Sequence, residues 1–258
     1  MLRGLYTSAM GMNTQMQSLD VVANNLANAS TTGFRGGTAV HQSFPQMLMH
    51  SINAIPGQLE NDRNTVGGAG FGVTVSAIHK NFAQGTLQQT GNDLDIALSG
   101  EGFFAVESLN RSGVATEMFT RNGAFTLSED GMLVNFNGDR VLGTNGSPIT
   151  LPSGEISIST SGDISVNGNV VNTIRIVNFE DTSMLRSFGY NLFTALDEAT
   201  ETPFTGVVNQ GYLESSNVNV VREMVNMINI SRSYELNQRM VSIHDQTLGQ
   251  AVSEIARR

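Results

Sequence analysis

The two ends of this chain carry apolar residues at a regular helical spacing, and the long region between them does not. Near the N-terminus these residues are Leu2, Leu5, Ala9, Met12, Met16, Leu19, Ala23 and Leu26. Near the C-terminus, with three polar interruptions, they are Val220, Met224, Met227, Ser231, Tyr234, Gln238, Val241, Asp245, Leu248, Val252 and Ile255. The average interval of about 3.5 residues is that of a coiled-coil seam, which needs a partner helix along its length. The ends therefore predict a subunit that assembles rather than an enzyme.

Both predicted helices have recognisable limits. The first runs from about Leu2 to Asn28, with Asn28 or Gly33 as the left-handed residue that ends it. The last begins near Asn217 or Asn219, either of which could cap it, and continues to the C-terminus. It is far longer than an ordinary globular helix, which again indicates that it packs against other helices.

The last helix carries a second apolar stripe, formed by Val221, Val225, Ile228, Leu236, Met240 and Ile243. One partner helix can cover only one stripe. We expect the N-terminal helix to cover the first stripe and another copy of the chain to cover the second, unless the β domain covers it. The predicted assembly interface consists of Leu5, Met12, Met16, Leu19, Asn24, Asn25, Leu26, Asn28, Val221, Met224, Val225, Ile228, Tyr234, Val241, Leu248 and Val252.

The central region has the pattern of antiparallel β-structure. Turn dipeptides recur there at Asn122-Gly123, Asp130-Gly131, Asn137-Gly138, Asn145-Gly146 and Asn167-Gly168. Because Asn, Asp and Gly tolerate positive φ, each favours a type I′ hairpin turn. The expected fold is α+β, with long terminal helices forming a coiled-coil-like domain (1–35 and 217–258), an extended connector (36–72) and an inserted, mainly antiparallel β domain (73–216).

Composition argues against several classes of function. The net charge is −9, and no cluster of Lys or Arg suits a phosphate backbone, so we expect no nucleic-acid partner. The N-terminus lacks the apolar run of a secretory signal, and no apolar stretch is long enough to span a membrane. Cysteine is absent, which removes disulfides, thiolate metal sites and thiol nucleophiles. If the protein leaves the cytoplasm, it must do so without a cleaved signal.

No constellation of residues points to catalysis, a cofactor or a metal. The four histidines, His41, His50, His79 and His244, lack metal-ligand spacing, and the chain has no Gly-x-Ser-x-Gly motif. Asp93 and Asp95 are two residues apart on a predicted strand, where they could hold a cation but more simply form a solvated face. We therefore expect no catalytic, cofactor-binding or metal-binding residues.

Three collinear motifs resemble those of the bacterial flagellar rod and hook proteins. The N-terminal motif is Ala23-Asn24-Asn25-Leu26-Ala27-Asn28 with Thr32-Gly33-Phe34-Arg35. The central motif runs from Thr90 to Phe104 and continues as Phe119-Thr120-Arg121-Asn122-Gly123-Ala124-Phe125. The C-terminal motif runs from Gly211 to Val225, with Arg232-Ser233-Tyr234-Glu235 after it. Together they extend over most of the chain.

The resemblance implies a structural, axial subunit of the basal-body rod, outside the cytoplasmic membrane in the periplasm or cell wall. Such subunits leave the cell through the flagellar type III export apparatus and stack helically with copies of themselves and with other rod and hook subunits. The shaft transmits torque from motor to hook. The run 211–219 is most like the distal type of rod subunit, and the proximal type is the alternative. A different class, an extracellular β-rich binding module with helical oligomerisation ends, stays open, and polymerisation would separate the two.

Overall fold

The computed structural model describes residues 2–43, 47–50, 65–70, 72–109 and 115–256. The chain divides into two compact units. The first, here called the helical unit, contains residues 1–24, 37–79 and 221–258. The second, here called the β unit, contains residues 25–36 and 80–220.

Two long helices account for the helical periodicity at the chain ends. Helix α1 spans Leu2–Ala27 and helix α2 spans Val220–Ala256, close to the predicted limits. Asn219 directly precedes α2, but Asn217 does not cap it, because the Asn217 side chain accepts a hydrogen bond from the Gly36 amide instead. Neither helix, nor any other helix in the described ranges, combines the length and hydropathy needed to cross a membrane.

The strands begin soon after α1 and continue to α2. In chain order they are β1 Gly37–Ser43, β2 Met47–His50, β3 Thr65–Ala69, β4 Val73–Lys80, β5 Leu87–Gln89, β6 Ile96–Ser99, β7 Phe103–Leu109, β8 Ala115–Thr120, β9 Phe125–Leu127, β10 Leu133–Asn135, β11 Arg140–Val141, β12 Ile156–Ile158, β13 Asp163–Val166, β14 Asn169–Thr173, β15 Ile176–Phe179, β16 Leu185–Gly189, β17 Leu192–Ala195, β18 Glu201–Pro203, β19 Val207–Gln210 and β20 Tyr212–Glu214. A short 3₁₀ helix, Thr182–Met184, precedes β16.

The predicted connector contains three of these strands. In the helical unit, β1 pairs with β4 and β2 pairs with β3. Residues 51–64, which also belong to the predicted connector, lie outside the described residues.

The main sheet of the β unit has the order β16-β17-β8-β7-β11-β10-β9, and β15 joins it beside β7. Its paired strands are antiparallel. Smaller sheets pair β12, β13 and β14, β6 with β19, and β5 with β20. The fold is therefore α+β, with helices at both ends of the chain and a mainly antiparallel β domain between them.

Strand β7 shows how the core of the β unit is built. Because successive side chains of a strand point to opposite faces, Phe104 and Val106 enter one apolar cluster, whereas Phe103 and Ala105 enter the other. Four of its residues are buried, so both faces of the strand are covered. A bend at Gly100 and Glu101 leads the chain into this core strand.

Most of the predicted type I′ turns are of another kind. Only Asn167-Gly168 has positive φ at both residues, 52° and 81°. At Gly131, Gly138 and Gly146 only the glycine is left-handed, and each glycine amide donates to the carbonyl three residues earlier. This geometry is a three-residue hairpin loop that ends in a glycine bulge. Asn-Gly and Asp-Gly suit both loops, so the dipeptide alone could not distinguish them.

A further correction concerns Asp93 and Asp95. Asp95 is buried rather than part of a solvated strand face, and its carboxylate accepts hydrogen bonds from Thr90 Oγ1 at 2.6 Å and from Asn92 Nδ2 at 3.2 Å. Asp93 lies in a turn and is exposed. The polar loop that precedes β6 satisfies Asp95, which is a contact that apolar alternation does not predict.

Candidate functional site

The exposed side of α2 carries the second apolar stripe. Its members are Val221, Val225, Ile228, Leu236, Met240 and Ile243, and all of them are exposed. Val252 and Ile255 are exposed further along the same helix. An apolar row of this length is unusual on a monomeric soluble protein.

The first apolar stripe of α2 is only partly covered. Met227, Tyr234, Val241 and Leu248 are half-buried, as a seam requires. Met224, Gln238 and Asp245 from the same predicted seam are exposed, while Ile230, Asn237 and His244 are half-buried between the covered positions. The covered stripe is therefore rotated about the helix axis relative to the predicted one.

Helix α1 turns a face of small residues inward. Ser8, Thr14, Ser18 and Val22 are its buried residues within the helical unit. Thr14 Oγ1 donates to the Val73 carbonyl at 2.6 Å, which ties α1 to strand β4. Of the predicted seam, Leu5, Met12, Leu19 and Leu26 are half-buried, and Met16 is exposed.

Two glycines of α1 explain this inward face. A Cβ atom at Gly4 would lie 2.5 Å from His244 Nε2, and one at Gly11 would lie 3.1 Å from Asn237 Nδ2. As the contact on α1 moves forward, the contact on α2 moves backward, so the two helices are antiparallel. The glycines lower helix propensity by roughly 1 kcal/mol each, but they let the helices approach closely.

The asparagines of the N-terminal motif occupy different environments. Asn24 is exposed, Asn25 is buried and Asn28 is half-buried. Some predicted interface residues are thus exposed (Met16, Asn24, Val221, Met224, Val225, Ile228 and Val252), and the others are buried or half-buried (Leu5, Met12, Leu19, Asn25, Leu26, Asn28, Tyr234, Val241 and Leu248).

Within the β unit, one buried carboxylate joins the three sequence motifs. Glu214, at the end of β20, lies 2.7 Å from Arg35 Nη1 and 2.6 Å from Arg121 Nε. The Gly85 amide donates a further hydrogen bond to the same carboxylate at 2.7 Å. Arg35, Arg121 and Glu214 belong to the N-terminal, central and C-terminal motif respectively, and their side chains are at most 2% exposed.

Arg121 also fixes the loop between β6 and β7. Its guanidinium donates to the carbonyls of Leu98 at 2.9 Å, Gly100 at 2.5 Å and Gly102. Burial lowers the pKa of Arg121, whereas the charge and hydrogen bond of Glu214 raise it, and Arg35 adds repulsion. A buried guanidinium with a charged partner and carbonyl acceptors has its polar groups satisfied, which is the condition for holding charge in a protein interior.

Backbone groups next to this cluster form further hydrogen bonds and one close contact. The Gly33 amide donates to the Glu214 carbonyl at 2.8 Å, and Gly33 has a φ of +66°, where a Cβ would lie 2.5 Å from the Asn122 amide nitrogen. Asn217 accepts from the Gly36 amide and donates to the carbonyls of Asn81 and Ala83. Segment 25–36 is thus fastened to the rest of the β unit.

The sequence motifs contain these charged residues, but their positions in the chain did not predict that the side chains meet. Only the N-terminal motif singles out its charge, Arg35, because the central and C-terminal motifs contain other charged residues besides Arg121 and Glu214. Among the described residues, no group of three His, Asp or Glu side chains is placed to hold a metal ion.

Three protein-family profiles match this chain, and each overlaps one of the three sequence motifs. The profile described as "Flagella basal body rod protein" matches residues 5–35, "Flagellar hook protein FlgE/F/G D1 domain" matches 97–166, and "Flagellar basal body rod FlgEFG protein C-terminal" matches 209–254. These ranges contain Arg35, Arg121 and Glu214, so the buried cluster joins all three matched regions.

Several full-length relatives are similar to this chain. Flagellar basal-body rod protein FlgG of Agrobacterium fabrum is 32% identical, over 95% of this chain and 96% of its own length. FlgG of Buchnera aphidicola subsp. Schizaphis graminum is 31% identical, over 96% and 98%. FlgF of Caulobacter vibrioides is 32% identical, over 92% and 91%. The chain belongs to the flagellar basal-body rod protein family.

Proposed function

We propose that this chain is a structural, axial subunit of the bacterial flagellar rod that polymerises helically with copies of itself. The observation that carries the proposal is the exposed apolar row on α2, from Val221 to Ile243. In the described part of the chain, nothing covers it. A row of this kind is expected on a subunit whose partner helices come from neighbouring molecules.

The covered stripe supports coiled-coil-like packing of the helices. Ser231 and Ser233 are half-buried on α2, and so is a regular series whose intervals alternate between three and four: Met227, Ile230, Tyr234, Asn237, Val241, His244 and Leu248. This alternation is the heptad spacing. A pair of helices that buries one apolar stripe and leaves the other exposed can bind further copies of the chain through the exposed stripe.

The free energy gained by apolar burial favours assembly over folding of the terminal helices in an isolated chain. Burial of each Val, Leu, Ile or Met side chain contributes roughly 1.5–3 kcal/mol, and the ordering entropy of the two helices opposes it. Neighbouring copies that cover the exposed row add apolar burial to the same ordered helices. Contacts of this kind that do not close into a ring generate helical filaments.

The distal position in the rod is favoured over the proximal one. Relatives named FlgG, the distal rod protein, match from several organisms at 31–33% identity. A proximal rod protein, FlgF, matches at 32%, so the proximal position is the alternative. In either position the subunit would transmit torque mechanically and would have no enzymatic activity.

The expected partners follow from this role. They are identical copies, other rod and hook subunits and the type III export apparatus, and the location is the basal body outside the cytoplasmic membrane. Export would proceed without a cleaved signal. The terminal segments 1–35 and 217–258 are proposed as the assembly domain, with the β-rich residues 73–216 outside it.

Two measurements test the proposal. Electron microscopy of purified basal bodies should locate this chain in the shaft, and the position within the shaft distinguishes distal from proximal. Sedimentation of the purified full-length chain should show filaments or protofilaments that grow with concentration. A closed oligomer of fixed size, together with normal motility of a deletion strain, would contradict the proposal.

A further inference from the structure

The chain contains four Asn-Gly dipeptides, which begin at Asn122, Asn137, Asn145 and Asn167. Asparagine is a chemically labile residue. It is most exposed to attack by the next backbone nitrogen when glycine follows, because glycine has no Cβ to obstruct the approach. The attack requires the asparagine side chain to rotate until its carbonyl carbon meets that nitrogen. The fold therefore decides which of the four dipeptides can react.

Hydrogen bonds hold three of these asparagine side chains in place. In each of them Oδ1 is the acceptor: for Asn122 from Thr32 Oγ1 at 2.7 Å and the Ala124 amide at 3.1 Å, for Asn145 from the Ser147 amide at 3.2 Å, and for Asn167 from the Glu155 amide at 3.1 Å. Bonds of this kind between a side chain and the backbone compete with other rotamers. Rotation of these three side chains toward the next amide first has to break a hydrogen bond.

The Asn137 side chain is not held in this way. Its amide group has no hydrogen-bond partner in the part of the chain that the structure describes, and the backbone amide of Asn137 donates to Asn135 Oδ1 at 2.9 Å. Asn137 itself is exposed. Its neighbour Phe136 is 93% exposed, so water reaches this turn. The Asn137 side chain is thus free to rotate while the loop backbone stays in place.

Asn145-Gly146 is a matched pair for Asn137-Gly138 in the same chain. Both dipeptides lie in a three-residue hairpin loop with a glycine bulge, and the φ values of Gly138 and Gly146 are 87° and 73°. Their amides donate to the carbonyl three residues earlier at 3.0 Å and 2.9 Å. No described atom lies within 4 Å of the ideal Cβ position of either glycine. The hydrogen bond of the asparagine side chain is therefore the main structural difference between the two.

We propose that Asn137 is a site of spontaneous modification, at which Asn137-Gly138 converts to aspartate and isoaspartate through a cyclic imide. The Gly138 nitrogen loses its proton and bonds to the side-chain carbonyl carbon of Asn137, and the side-chain nitrogen takes up a proton and leaves as ammonia. Water then opens the imide. Opening at the side-chain carbonyl gives aspartate, and opening at the backbone carbonyl gives isoaspartate. Water is the only co-reactant, so the reaction does not depend on the proposed self-assembly.

The product changes a loop that the Asn135 side chain holds together. Asn135 Oδ1 accepts from the amides of Asn137 and Asp139, both at 2.9 Å, and Asn135 Nδ2 donates to Asp139 Oδ2 at 2.8 Å. Isoaspartate lengthens the main chain between these two amides by one carbon, so the pair of bonds to Asn135 Oδ1 loses its geometry. Either product also adds a negative charge to the turn. We expect a looser turn between β10 and β11 and an unchanged core.

Peptide mapping of aged protein tests the proposal. The dilute, folded, full-length chain is incubated at mildly alkaline pH and digested, and liquid chromatography with mass spectrometry separates the asparagine, aspartate and isoaspartate forms of each peptide. We expect the Asn137 peptide to convert roughly two- to tenfold faster than the Asn145 peptide, which is the factor that one typical hydrogen bond supplies. The same incubation in denaturant is the control, because the difference should disappear when the chain is unfolded.

A variant identifies the reacting residue. Asn137→Gln keeps an uncharged amide but adds one methylene, which disfavours ring closure. Conversion of this peptide should stop, while the melting temperature and the conversion at Asn145 should not change. The proposal is overturned if Asn137 converts no faster than Asn145 in the folded chain, or if the difference persists in denaturant. Because the measurement uses unassembled chains, either result leaves the proposed function untouched.

Discussion

Glu214 accepts a hydrogen bond from Arg121 at 2.6 Å, although the two residues are 93 positions apart in the chain. Arg35 engages the other oxygen of the same carboxylate at 2.7 Å. Glu214, which lies only a few positions before α2, therefore connects the first and last segments of the β unit. Its segment 25–36 and its final strand β20 are held by one buried charge cluster, so the termini of the unit depend on each other.

Replacement of Glu214 by Gln should destabilise the β unit strongly. The substitution keeps the shape but leaves two buried guanidinium groups without a counter-charge, and a broken buried ion pair costs about 3–5 kcal/mol. Glu201→Gln is the matched control. It removes one exposed partner of Arg175, whose contribution should stay below about 1 kcal/mol. Urea unfolding followed by circular dichroism measures both, and equal losses would contradict the assignment.

Replacement of Gly33 by Ala should cost more than its backbone conformation alone explains. Gly33 and Gly146 have similar φ values, 66° and 73°, but only Gly33 would bring a Cβ against backbone, 2.5 Å from the Asn122 nitrogen. Gly146→Ala should therefore lose about 1–2 kcal/mol from the left-handed conformation. Gly33→Ala should lose clearly more stability than Gly146→Ala, because its Cβ would also meet backbone. Thermal unfolding compares the two variants, and an equal loss would show that the close approach is not important.

A leucine at Gly11 should loosen the pairing of α1 with α2. The residue lies 3.1 Å, measured from its ideal Cβ position, from Asn237. Helix propensity alone would favour Leu over Gly by roughly 1 kcal/mol. If the amides near Asn237 nevertheless exchange hydrogen faster in the variant, the cause must be the loss of close approach between the two helices. Hydrogen exchange of amides near Asn237 measures it. Ala9→Leu, on an exposed position of the same helix, should leave protection unchanged.

An acidic residue in the exposed row of α2 should prevent assembly without unfolding the chain. Ile228 is 52% exposed, so Ile228→Asp costs little in the monomer. In the assembly it would bury a charge and remove an apolar contact worth roughly 1.5–3 kcal/mol. Sedimentation should show a critical concentration at least about tenfold higher. Gln246→Asp, at an exposed polar position of α2, should assemble normally; loss of assembly there as well would point to charge alone.

The terminal helices should become resistant to proteases only on assembly. In dilute monomer we expect cleavage within α1 and α2 before the β unit, because no described residue of α2 is fully buried. In filaments the same sites should be protected. Time-resolved proteolysis at low and high protein concentration checks this expectation, and ends that resist as well as the β unit in the monomer would refute it.

The sequence by itself determined the two helices, their limits and the apolar row of α2, because helical periodicity is a local property of neighbouring residues. It also identified β-structure and the family motifs. It could not choose between type I′ and bulged hairpin loops, since Asn-Gly and Asp-Gly are compatible with both. At Asp95 the local alternation was misleading, because the contacts with Thr90 and Asn92 bury the carboxylate.

Only the tertiary structure decided which faces and charges come together. The inward face of α1 follows from the close approach at Gly4 and Gly11, and this approach depends on the partner helix rather than on α1 alone. The meeting of Arg35, Arg121 and Glu214 required strands that are distant in sequence to pair first. Such contacts depend on non-local packing, so the physical chemistry of each motif in isolation leaves them undetermined.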